Sequence, residues 1–135
     1  MALLTVPSAG HVGDEVTVNV VVTGVERLYS APFYLSYNPS VLELTKVTQG
    51  EFLKQDGQQT AFLHANHAEM GRVMIGLSRL GQVDGITGAG VLVSITFLAK
   101  APGIGTFAVH EADFRNTAME AIATQVASTA IRVAD

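Results

Sequence analysis

Between residues 16 and 23 every even-numbered side chain is valine: Val16, Val18, Val20 and Val22 alternate with Thr17, Asn19, Val21 and Thr23. Successive side chains of a β-strand point to opposite sides of a sheet, so a period of two gives one face for a core and one turned away from it. A helix would scatter those four valines around its axis. The pattern returns over residues 28–37, with Ala31, Phe33, Leu35 and Tyr37 on one side and Ser30, Pro32, Tyr34 and Ser36 on the other. Gly24 is expected to break the chain between the two runs. Pro32, which has no N–H to give to a ladder, predicts a sheet edge or a bulge.

The rest of the chain repeats the signal. Residues 3–6 read as a short strand ended by Pro7, and Asn38-Pro39-Ser40 as a turn. Strands are predicted over residues 41–48, closed by Gly50, and over 60–66, 72–79, 90–100 and 106–110, with Ala101-Pro102-Gly103 turning the chain before the last. Residues 81–90 hold four glycines and read as a long loop. Residues 118–127 admit a helical turn, and a strand over 125–133 is expected to close the fold. Roughly eight or nine short strands with no long amphipathic helix give an all-β fold, an antiparallel β-sandwich or jelly roll. Its expected core is Phe33, Leu35, Phe62, Ile75, Leu77, Val93, Ile95 and Phe97. That choice turns Tyr34, Leu63, Ala65, Met74, Gly76 and Ser78 outward. Such a face, flat and partly apolar, has the composition of an interface centre.

The 135 residues suit one domain, 1–135, long enough to bury a core without staples. Cysteine is absent, which excludes disulfides, thiolate metal sites and a Cys nucleophile. Mean hydropathy is +0.34 and charged residues make up only 15% of the chain, fitting a sheet protein with small side chains on its surface. A net charge of −4 leaves no basic stripe for nucleic acid. No apolar run is long enough to insert in a membrane. The first residues lack the basic and apolar regions of a signal peptide. Met1 runs almost directly into LLTV, as expected of a module excised from a larger exported protein, with Met1 and Ala2 as additions.

Catalytic signatures are thin. His64 and His67 form H-x-x-H, but a catalytic zinc needs three protein ligands, and the flanks read as a strand entering a turn. Glu69 is the nearest third donor. Asp14 and Glu15 are adjacent and would point to opposite faces, whereas Glu111 and Asp113 could share one; a glycosidase needs two carboxylates about 5–10 Å apart across a cleft. Glu111 and Asp113 are read as turn caps, and the Asp84 loop as a possible calcium ligand without distinctive spacing. No serine stands in a G-x-S-x-G elbow, and the glycines at 81, 85, 88 and 90 lack the G-K-[ST] of a phosphate loop. The chain is therefore read as a binding protein, not an enzyme, with no metal or cofactor of its own.

The segments GDEVTVNVVVTGV and FYLSYNPSVLEL, then Gly50-Glu51-Phe52-Leu53, Gly71-Arg72-Val73-Met74-Ile75 and GVLVSITFLAKAPG, follow one another in an order that resembles the cohesin domains. In that family a Gly-Asp turn leads into the second strand, and a Y-[DN]-P-x-V-L turn follows the third. The resemblance implies a nine-stranded jelly roll acting as a non-catalytic receptor for a dockerin module, with calcium on the partner's side. It also implies an extracellular or cell-envelope setting. The dockerin would lie on one sheet face, at positions corresponding to Ser30, Pro32, Tyr34, Leu63, Ala65 and Met74, with Gly76 and Ser78 beside them. Cellulosomal members often carry Asn and Asp where this chain has Ser30 and Pro32. The partner expected is thus another kind of dockerin or another secreted or envelope protein.

Two alternatives belong to other classes. A carbohydrate-binding module needs a strip of exposed aromatics for stacking on polysaccharide. This chain has no Trp and only Tyr29, Tyr34 and Tyr37, the last expected in the core. The other alternative is a structural domain of a secretion or outer-membrane protein.

Overall fold

Among the described residues eleven strands follow in order: β1 (Ala2–Val6), β2 (Gly10–His11), β3 (Glu15–Ser30), β4 (Phe33–Tyr37), β5 (Leu42–Gln49), β6 (Thr60–His67), β7 (Arg72–Arg79), β8 (Ile86–Ala99), β9 (Gly103–His110), β10 (Arg115–Asn116) and β11 (Ser128–Ala134). The computed structural model describes residues 1–6, 9–122 and 127–135. Pro7 and the predicted strand start at Gln125 lie outside the described residues. Nine strands have five residues or more, matching the expected jelly roll, and β2 and β10 are two-residue bridges.

Hydrogen bonds run along the path β2-β11-β9-β4-β7-β3-β8-β5, with β1 and β10 added on β3 and β6 on β7. The path folds into two layers because β3 serves both. Its residues 15–28 pair with β8, and 17–21 with β1 as well, whereas its last residue, Ser30, opposes Ser78 of β7. Among the described residues every strand pairing is antiparallel except the short one between β11 and β2. The alternating valines Val16, Val18, Val20 and Val22 are fully buried, as the period-two pattern requires. Across the layers Phe97 of β8 meets Tyr37 of β4 at 4.9 Å and Phe107 of β9 at 5.2 Å between ring centroids. The expected core residues are buried, with Phe62 packed against them from the edge.

Four local expectations are corrected. Gly24 does not end its strand. β3 continues through it with register shifts on either side of Val25, while Gly24 takes φ +64° and Arg27 φ +53°. A left-handed residue inside a ladder makes a bulge, which twists a strand without stopping it. Pro32 lies in the gap between β3 and β4. The flanking pairs Ser30↔Ser78 and Phe33↔Ile75 keep one register, so Pro32 falls opposite Gly76 without breaking the line of the strand. The glycine-rich loop is shorter than predicted, because Gly88 and Gly90 sit inside β8 against Val25 and Val22. Finally, the strand predicted over 60–66 runs one residue further, so that His64 and His67 both belong to β6 and the turn follows at Ala68–Met70.

Candidate docking face

The antiparallel registers set the expected outward residues in three adjacent rows across β6, β7 and β4. Ala65, Met74 and Tyr34 form one row, which His110 of β9 extends. Leu63 and Gly76 form the second, with Pro32 beyond Gly76. Ser78 and Ser30 form the third, joined by Ala61. All eight residues singled out in the sequence thus lie on one face. Leu63 is its most prominent apolar side chain, 68% exposed. Gly76 leaves a hollow beside it, since a Cβ there would come no nearer than 3.8 Å to Leu63.

A fourth row was missed: His67, Arg72, Ser36 and Ala108. Arg72 stacks its guanidinium over the Tyr34 ring at 4.4 Å from the centroid and reaches Glu111 at 3.7 Å. Its charge is therefore held at one end of the face against a π-face and a carboxylate. Ser36 Oγ shares a hydrogen bond of 2.9 Å with His110 Nε2 and donates to the Ala108 carbonyl. His67 and Arg72 share the parity of Ala65 and Met74, so their strands alone could have revealed them. His110 could not be found that way, because only the β4–β9 register brings it beside Tyr34.

A family model of the cohesin domain matches residues 3–133. This chain belongs to the cohesin family. Solved relatives are distant in sequence but share the fold. A non-cellulosomal cohesin from the archaeon Archaeoglobus fulgidus superposes with a TM-score of 0.76 at 15% identity, covering 99% of this chain and 91% of its own. The cohesin module of a family 33 glycoside hydrolase from Clostridium perfringens gives 0.79 at 16% identity, over 98% and 93%. A type I cohesin–dockerin complex from Clostridium thermocellum gives 0.76 at 13% identity, over 98% and 97%. Comparison with curated protein sequences yields no significant match.

Among the acidic groups singled out in the sequence, Asp84, Glu111 and Asp113 of this cohesin have structural partners. His64 and His67 differ by an odd number of residues on one strand, so they point to opposite sides and cannot converge on one ion. Asp84 is tied to its neighbours through one oxygen. Its Oδ1 accepts from Arg27 Nε at 2.9 Å, from the Gly85 N–H at 2.9 Å and from the Thr117 hydroxyl at 3.1 Å. These donors, Arg27 foremost, hold its carboxyl below the usual range. Asp113 pairs with Arg115 at 3.0 Å and Glu111 with Arg72, which makes both acids part of the β9–β10 corner. Tyr37, 5% exposed, gives its hydroxyl proton to Asn66 Oδ1 at 2.7 Å, and burial pushes its pKa up.

Proposed function

We propose that this cohesin is a non-catalytic receptor that docks a dockerin-type module on the β6–β7–β4–β9 face, through Ser30, Pro32, Tyr34, Leu63, Ala65, Met74, Gly76 and Ser78. The observation that carries the reading is the composition of the face. Its three central rows hold no Lys, Arg, Asp or Glu, while Tyr34, Leu63 and Met74 rise among Ala, Gly and Ser. Interface centres have this character, charge kept to the rim and aromatic or methionine anchors inside it. Membership of the cohesin family and fold likeness to a cohesin solved with a dockerin support the same partner. The chain works as a single domain of a larger exported protein, outside the cell or on its envelope. Calcium belongs to the dockerin.

Titration of purified dockerin modules into this domain, with calcium and with chelator, tests the proposal. Calcium-dependent binding that Met74→Asp abolishes is the expected result. Dockerin binding that survives both Met74→Asp and Tyr34→Ala would place the contact elsewhere. Retention on insoluble polysaccharide with no dockerin binding would replace the proposal by carbohydrate recognition.

A further inference from the structure

Two edge strands of the sandwich are built very differently. At one end of the hydrogen-bonded path, β5 carries Glu43 and Lys46 and has a register shift between Leu44 and Lys46. Charge and a bulge are the usual devices that keep a sheet edge from pairing with another chain. Among the described residues β6 pairs with β7 alone, and it has neither device. Its sequence TAFLHANH contains no Lys, Arg, Asp, Glu or Pro, and its eight pairs with β7 run without a shift. A long, regular, uncharged edge is a template for a further strand.

The ladder shows which backbone groups are on offer. Leu80 donates its N–H to the Gln59 carbonyl at 3.3 Å, and Ala31 donates to the Leu77 carbonyl at 2.8 Å. Antiparallel bonding alternates along each strand, so residues 61, 63, 65 and 67 bond to β7. Thr60, Phe62, His64 and Asn66 point their N–H and C=O groups away from it. Among the described residues no other strand takes those groups.

We infer that two copies of this domain associate through β6, antiparallel, about a twofold axis at Leu63. Outward groups sit on even-numbered residues, so a twofold register must pair even with even. Centring on Leu63 is the only such register that uses all four: Thr60 faces the second copy's Asn66, and Phe62 faces its His64. The side chains agree with the backbone. Leu63, the most exposed large apolar residue described, meets its own copy in a non-hydrogen-bonded pair, where Cβ atoms stand about 4.5–5.5 Å apart. Ala61 faces Ala65, so nothing bulky crowds the leucine pair. Phe62 meets His64 on the other side of the sheet, a pair already neighbouring within one chain at 5.6 Å between rings. Directly opposed residues share a sheet side, so the dimer sets two docking faces side by side in one continuous sheet. The inference does not depend on what those faces capture, since the tests use the domain alone.

The seam is small, below the ~1,200 Å² of stable complexes, so association is weak and concentration-dependent. Sedimentation equilibrium up to about 1 mM, where weak interfaces form, is expected to show a monomer–dimer equilibrium. Leu63→Lys opposes two charges on the axis, and His64→Pro removes an outward N–H that β7 does not use. Each should weaken dimerisation at least about tenfold, with the far-ultraviolet spectrum unchanged. The absence of cysteine allows a test of register. Leu63→Cys should oxidise to a covalent dimer, whereas Ala61→Cys should not, because its thiols would stand four residues apart across the seam, about 13 Å. A monomer at every concentration, or equal cross-linking of the two cysteine variants, overturns the inference.

Discussion

Arg79 and Asp56 form a two-point ion pair that closes one end of the sandwich, with Nη2 at 2.6 Å from Oδ2 and Nη1 at 3.1 Å from Oδ1. Arg79 is 2% exposed at the end of β7, on the side that carries Ile75 and Leu77 into the core. Nη1 also donates to the Leu53 carbonyl at 2.6 Å, and Nε has no hydrogen-bond partner among the described residues. The pair thereby fastens the loop that delivers Phe52 and Leu53 to the core, both buried in the helical turn Phe52–Lys54.

The pair makes stability depend on pH in one direction. Arg79 holds the Asp56 carboxyl below the usual range, chiefly through its hydrogen bonds. A depressed folded pKa contributes stability that is fully present above the unfolded value of about 3.9 and is lost as pH falls through the folded one. The melting-temperature gap between the parent domain and Asp56→Asn is expected to be constant near neutrality and to close below about pH 4. A gap that persists into stronger acid would show that the carboxylate charge is not what the pair uses.

Asp56→Ala leaves the Arg79 charge buried without its counter-ion, whereas Arg79→Met removes the charge itself. Replacing a buried ion pair by an apolar side chain of similar volume is often neutral, and orphaning one partner is not. Thermal melts should therefore rank Arg79→Met above Asp56→Ala in stability.

On the proposed docking face, Tyr34→Ala removes the ring that seats Arg72. It should weaken partner capture by at least about tenfold, the cost of losing an aromatic anchor, with little change in melting temperature. Met74→Asp, beside Tyr34 and Ala65, puts a charge into the uncharged rows and should weaken capture more. Calorimetric titration of the two variants checks both the size and the order of the effects.

Gly50 follows the last residue of β5, where a Cβ would lie 2.1 Å from the Val91 carbonyl oxygen. Both atoms are fixed by backbone, because the Gly50 N–H donates to the Leu92 carbonyl at 2.8 Å. Gly50→Ala must therefore displace one of the strands, at about 1–3 kcal/mol or more, measurable by urea denaturation.

Phe97 links the layers through Tyr37 and Phe107, and it is fully buried. Phe97→Ala removes the shared ring of that chain and should cost about 3–5 kcal/mol. Denaturant midpoints measured beside those for Tyr34→Ala separate the core contribution from that of the face.

Much of this molecule could be read along the chain. The alternation at residues 16–23 marked a buried face, and the parity of Tyr34, Leu63 and Met74 against Phe33, Phe62 and Ile75 divided outside from inside correctly. Arg79 is the instructive exception. Its parity placed it inward, yet no rule of parity supplies the Asp56 carboxylate that lets an arginine remain there. The glycines misled for a related reason. Gly24, Gly88 and Gly90 carry a turn signal, but the long pairing of β3 with β8 turns them into bulge and ladder positions.

The sequence by itself determined which side chains share a face, because the period of two is a property of the backbone of each strand. Tertiary structure alone decided which strands lie side by side. It brought His110 to Tyr34, carried β3 from one layer to the other, and left β6 with an edge unpaired among the described residues while β5 ended in charge and a bulge. Those outcomes depend on registers between segments far apart in the chain. A register is set by how two whole faces close over a common core, and no local pattern encodes it.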